Sequence, residues 1–319
     1  TGANTFELQD RDGTDVDTTG FTAYSSGGEV AVIYEVASPY AAADQFNIDY
    51  SQSADVLFTV NGSYSPREIT RSSDTNWTVG EVDFIDGPYL KENSTTTTLD
   101  PHNTGVSVLI TASSTTGIND GSGFLSTDVG RPIRWFDGTD WFWYEITARN
   151  SATEVAATRK TEAVPSGHGA TDRWRLGAWS GTTGYPETIA FFEQRLWFGG
   201  TATQPDTVWG SAIDDFTNFT PGTDDDNAVN FTLASLKVNK IRWMSPHSRL
   251  RIGTTGGEFT IIGNDSSAIT PTNVKVERET AFGSAAIKPL AIGNSTLFWQ
   301  RAGRKIRELL YSFESDGLV

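Results

Sequence analysis

Residues 191–211, FFEQRLWFGGTATQPDTVWGS, set five large aromatic side chains around one Gly-containing turn. Aromatics so arranged serve either a binding platform for a sugar or base, or the packed interior of a larger β body. Repetition decides between them. The pattern returns in ADVLFTVNGSYSPREITR (54–71), SRLRIGTTGGEFTIIGN (248–264) and STLFWQRAGRKIRELLYS (295–312). Each is a polar lead-in, a short apolar strand, a Gly-containing turn and a second strand. Anchoring on Leu57, Leu196, Leu250 and Leu297 gives spacings of 139, 54 and 47 residues. The last two match a propeller blade of roughly 40–50 residues, built as a four-stranded sheet.

The first spacing exceeds one blade by about 85–90 residues, if a blade takes roughly 40–50. The surplus falls between Tyr89 and Trp179 and carries its own strands in GVSVLITASS, RPIRWF, WFWYEITA and TEVAATRK. Asp137-Gly138 between two aromatic runs is a hairpin signal. The expected architecture is all-β, an irregular, partial β-propeller with an inserted small β-sandwich or barrel. Residues 1–88 then hold the first blades, 89–179 the insert and 180–319 further blades. SPYAAADQF (38–46) is the one helical candidate, a turn or two at most.

On this reading Phe191, Phe192, Leu196, Trp197 and Phe198 pack between blades, because both faces of so apolar a strand must be buried. Glu193 and Arg195 are expected at a strand edge or in a paired polar contact. The repeated Arg-Leu of Arg195-Leu196 and Arg249-Leu250 reads as an architectural position.

Composition narrows function. The chain has 319 residues, with 24 Lys plus Arg against 40 Asp plus Glu, a formal net charge of −16. Such a surface repels nucleic acid and anionic membrane, since affinity for phosphate rests on Lys and Arg. No apolar run approaches the roughly 18 residues of a membrane-spanning helix, and no signal-peptide pattern opens the chain. Cysteine is absent, which excludes disulfides and cysteine-based zinc sites. A first residue Thr1 and an end at YSFESDGLV, soon after an apolar run, read as a piece of a longer chain.

Catalytic spacing is hard to find. His102, His168 and His247 lie far apart, in no H-E-x-x-H, G-x-S-x-G or phosphate-loop pattern. Asp224, Asp225 and Asp226 form a run that lacks the alternating order of a calcium loop. Asp10, Asp12, Asp15 and Asp17 come closer but lack the distal acidic ligand. SSDTNWT (72–78) and DGTDWFW (137–143) are similar to the Asp-box turns of sialidase propellers, which are structural turns. The expectation is no enzyme, no cofactor and no metal. Trp135, Trp141, Trp143 and Tyr144 flank the insert's hairpin and are the candidate glycan-stacking residues, weighed against burial in a small sandwich.

Longer phrases carry a resemblance. QSADVLFTVNGSYSPREITR (52–71), DFIDGPYLKENSTTTTL (83–99), GAWSGTTGYPETIAFFEQRLWFGGT (177–201), TVWGSAIDDFTNFTPG (207–222), TTGGEFTIIG (254–263), ITPTNVKVERETAFGS (269–284) and GRKIRELLYSF (303–313) resemble, in collinear order, the tail nozzle or tail tubular proteins of short-tailed bacteriophages. The resemblance implies a virion structural protein built on an irregular propeller. It implies a ring, usually of six copies, below the portal and adaptor proteins, offering surfaces to tail fibres or spikes. Genomic DNA passes its channel without specific binding, which an acidic wall suits. Residues 1–29 match poorly. The alternatives are a receptor- or glycan-binding propeller and, third, a glycosidase-like propeller with a close carboxylate pair.

Overall fold

The structure, a computed structural model, describes residues 14–22, 35–233, 239–312 and 317–318. The strand expected in VAVIYEV (30–36) and the carboxylates Asp10 and Asp12 lie mostly or wholly outside these residues. Thr1–Glu35 and Val36–Val319 are two compact units. In the first, Asp17 accepts from the Thr19 amide at 2.9 Å and from its hydroxyl at 2.7 Å.

The second unit's described residues are nearly all strand and turn, an all-β fold of partial-propeller type. Four antiparallel sheets of four strands each run in strict chain order: sheet 1 over Asp49–Glu81, sheet 3 over Thr188–Thr232, sheet 4 over Ile241–Thr280 and sheet 5 over Leu290–Leu318. Each is the four-stranded meander of a propeller blade. The four anchor leucines all sit on the second strand of a sheet, in Val56–Val60, Arg195–Gly199, Leu250–Thr254 and Ser295–Trp299. SPYAAADQF yields only a single 3-10 turn, Ala42–Asp44.

Sheet 2, between sheets 1 and 3, has six strands within Leu99–Leu176 and curls into a half-barrel. It is the small inserted β unit, in the form of one curled sheet around its own core of Ile110, Ile133, Trp135, Phe142, Tyr144 and Trp174. Within 1–88, the described residues form one four-stranded sheet.

Alternation along the opening strand explains the packing. Leu196 and Phe198 join Phe58, Val60 and Trp209 between sheets 1 and 3. Trp197 points the other way, with Val208, Ile252 and Phe259, between sheets 3 and 4. Successive side chains of a strand leave on opposite faces, so a strand that serves two neighbours carries apolar side chains on both. Phe191 and Phe192 follow the same split, packed against the first and second of these cores. Trp243, Phe298 and Leu309 fill the smaller core between sheets 4 and 5.

Polar side chains tie the series together. Asp49, on the first strand of sheet 1, accepts from Thr188 Oγ1 at 2.7 Å and the Ile189 amide at 3.1 Å, both in sheet 3. Its other oxygen meets Lys288 Nζ at 2.7 Å, just before sheet 5. One carboxylate thus joins three sheets. Arg251, 3% exposed, reaches from sheet 4 to Thr296 Oγ1, Asn294 O and Leu309 O in sheet 5.

Arg195 departs from expectation. It is fully buried, and among the described residues no carboxylate forms an ion pair with it, though the Glu193 and Asp226 charges act on it. Instead its guanidinium donates to the carbonyls of Ser211, Asp225 and Asn227, each at 2.6 Å. Those bonds fold the Asp224–Asp226 run around it and leave the three carboxylates in solvent. Glu193 accepts from the Ile269 amide at 2.9 Å, linking sheet 3 to sheet 4. The repeated Arg-Leu is therefore two devices, since Arg249 is partly exposed and pairs with Glu277 at 2.9 Å.

Both turns similar to Asp boxes are hairpin turns. Asp74 pairs with Arg71. Asp137 accepts from the Thr139 and Asp140 amides and from the amide and hydroxyl of Ser166. What burial it has opposes ionisation, but these hydrogen bonds outweigh that and hold its pKa down to about 2. An unfolded Asp titrates at about 3.9. Asp137 therefore contributes stability that is full above about pH 4 and lost as pH falls toward about 2. In acid titrations of unfolding, Asp137→Asn should flatten the stability change in that window and leave the profile above pH 5 parallel to wild type.

Candidate functional site

A cavity of about 490 Å³ opens between the edge of sheet 1 and the outer face of sheet 2. Three segments build it. The turn after Val60 supplies Tyr64 and Arg67, its backbone held by Asn61 Oδ1 accepting from the Ser63 and Tyr64 amides. The end of sheet 1 supplies Glu81, and the crossing to sheet 2, which passes through the cis Gly87-Pro88 bond, supplies Asp83 and Phe84. Sheet 2 and the segment leaving it supply Trp143, Glu145, Trp179 and Tyr185.

Its charges are arranged in pairs. Arg67 meets Glu81 at 2.8 Å, and Glu145 meets Lys160 at 2.6 Å. The Glu145 hydrogen bond is the main cause that raises the Lys160 pKa. Burial, and then the Glu81 charge, push the Tyr185 phenol up, so it stays neutral. Trp143 is fixed through its backbone: its amide donates to Thr161 Oγ1 at 2.8 Å and its carbonyl accepts from the Lys160 amide at 3.0 Å. Trp179 is anchored edge-on against Phe84, Phe198, Trp209 and Phe219, at centroid distances of 4.9–5.6 Å. The floor is therefore rigid, and the rim carries both hydrogen-bonding and aromatic groups.

The four aromatics singled out in the sequence do not form one platform. Strand Trp141–Arg149 alternates, sending Phe142, Tyr144 and Ile146 inward and Trp141, Trp143 and Glu145 outward. Tyr144 is fully buried, and burial raises its phenol to about 12. Trp135, 2% exposed, donates its indole N–H to Leu99 O at 3.1 Å. Both belong to the sheet 2 core and are closed to a ligand. Trp143 alone of the four lines the cavity. Trp141 lies outside it, within 5.2–5.6 Å of the guanidiniums of Arg134, Arg173 and Arg175. Glu92 holds two of those, Arg173 at 3.0 Å and Arg175 at 3.3 Å, and Asp86 holds Arg134 at 3.3 Å.

The histidines stay apart in role. His102 and His168 are exposed, with His102 Nε2 at 2.7 Å from Thr111 Oγ1. Burial, followed by the Arg251 charge, lowers the His247 pKa. Among the described residues no group of three or more His, Asp or Glu is placed to hold a metal ion. No helix among them is long and apolar enough to cross a membrane.

Sequence reasoning missed the cavity because its lining spans residues 63–185 and no local motif marks it. Only the outward phase of Trp143 and Glu145 was available, and aromatics on both faces of that strand concealed it.

No known family profile matches the chain, and no curated protein matches it. Among solved structures, one described as a 6-phosphogluconolactonase from Bacteroides fragilis is similar with a TM-score of 0.36 and 11% identity. The likeness covers 85% of this chain and 67% of that one. A likeness so distant carries no statement about chemistry.

Proposed function

We propose that this chain is a wall subunit of a phage tail nozzle, acting by assembly and without bond chemistry. The observation that supports it best is the open end of the sheet series. Sheet 3 buries both its faces between neighbours. Among the described residues sheet 5 buries one face, through Thr296, Phe298 and Leu309. Its other face presents Leu290 (60% exposed), Ile292, Trp299, Ile306 (58%) and Leu310. Strand register places these five on one side of the sheet, with Ser295, Leu297 and the exposed Glu308 among them. An apolar face of this kind on an otherwise acidic protein is built to be covered. In the proposed ring it meets a neighbouring copy, and the net charge of −16 keeps passing DNA from adhering to the wall.

Portal and adaptor proteins above, and fibres or spikes at the side, are the further partners of this reading; six copies is the ring size carried by the sequence resemblance. Sedimentation velocity tests it. The unmodified protein should self-associate, and Trp299→Glu with Ile292→Lys should leave a folded monomer. Equal sedimentation of the two as monomers at all concentrations would contradict the assembly.

A further inference from the structure

The cavity between sheets 1 and 2 has a composition that the wall role does not require. Its volume of about 490 Å³ lies within the ~300–1,000 Å³ of small-molecule sites. We propose that it is a carbohydrate subsite taking one or two neutral sugar rings, whether or not the chain is a nozzle subunit.

Charge chooses the ligand class. Glu81, Asp83 and Glu145 on the lining outnumber its one guanidinium, Arg67, so phosphate and other anions are repelled. Glu81 and Glu145 are already paired with Arg67 and Lys160, so the cavity has little uncompensated charge to hold a polyamine. What remains is a set of fixed acceptors and donors beside aromatic rings. A sugar ring uses both. Its hydroxyls donate to the carboxylates and accept from the partly exposed guanidinium of Arg67. Its C–H face packs on an aromatic surface, for which half-buried Trp143, Tyr64 and Tyr185 are placed. The backbone bonds that fix Trp143, and the aromatic stack behind Trp179, mean that little order has to be gained on binding.

Ligand-observed saturation-transfer NMR and tryptophan fluorescence on the full chain test this, with glucose, galactose, N-acetylglucosamine and maltose as probes. At least one should bind saturably with a Kd on the order of 1–10 mM, ordinary for a single subsite. Trp143→Ala should weaken it tenfold or more, and Glu81→Gln, which keeps the side-chain shape, should also weaken it. Trp141→Ala, on the same strand but outside the cavity, should leave the affinity unchanged. Absence of saturation with all four sugars up to about 100 mM would overturn the proposal, as would equal weakening by Trp141→Ala and Trp143→Ala. Displacement of a bound sugar by millimolar spermidine would overturn it too, by reassigning the cavity to cations.

Discussion

Asp128→Ala should destabilise the protein by about 3–5 kcal/mol, the usual cost of stripping the partner from a buried charge. Both side chains of the Asp128–Arg131 pair are wholly inaccessible, and they meet at 2.9 Å. Around them the network is dense. Asp128 Oδ2 accepts from Asn119 Nδ2 at 2.7 Å and from the Leu125 amide at 2.8 Å. Arg131 donates to Asn119 Oδ1 at 2.8 Å and to Gly177 O at 2.7 Å, joining the 119–131 loops to the segment leaving sheet 2. Burial lowers the Arg131 pKa, and the Asp128 charge works against that. Without Asp128 the guanidinium remains in an apolar interior. The pair need not be stabilising against an apolar replacement, so Asp128→Leu with Arg131→Met should recover much of the loss. Urea unfolding checks both, and a loss below about 1 kcal/mol for Asp128→Ala would contradict the assigned cost of an unpaired buried charge.

Arg195→Met should cost about 3 kcal/mol or more, through a different cause. Here no charge loses its partner; one buried and two part-buried carbonyls do, each hydrogen bond to a charged group being worth about 1.5–3 kcal/mol. Ser211 O, Asp225 O and Asn227 O turn toward Arg195, and only a cation with several donors fills that position. The amides of 224–227 should also exchange faster with solvent in the variant, while those of sheet 5 should not. Arg195→Lys, with fewer donors in a less rigid arrangement, should fall between. Equal stability of Arg195→Met and wild type would show that these carbonyls are served without the guanidinium.

These two arginines mark where sequence reading stops. The blade repeat was legible because each sheet spells an apolar second strand, and Leu57, Leu196, Leu250 and Leu297 all lie there. The four aromatics of 191–198 declared strands buried on both faces for the same reason. An arginine within such a strand looks like an edge or ion-pair residue. Its burial at 195 depends on carbonyls 16, 30 and 32 positions later, and a carbonyl leaves no trace in residue identity. The half-barrel of sheet 2 was legible as strands but not as one sheet, because pairing order is set by distant partners such as Ser107 with Thr158. Of the candidate glycan aromatics, alternation separates Tyr144 from Trp141 and Trp143, yet it does not say which phase faces the core.

Electron microscopy of the purified protein, alone and with the tail components expected beside it, tests the proposed assembly most directly. The predicted result is a closed ring, of six copies, around a channel wide enough for duplex DNA, with sheet 5 of each copy covered by its neighbour. Persistent monomers under both conditions, with the Leu290–Ile292 strand still open to solvent, would contradict it.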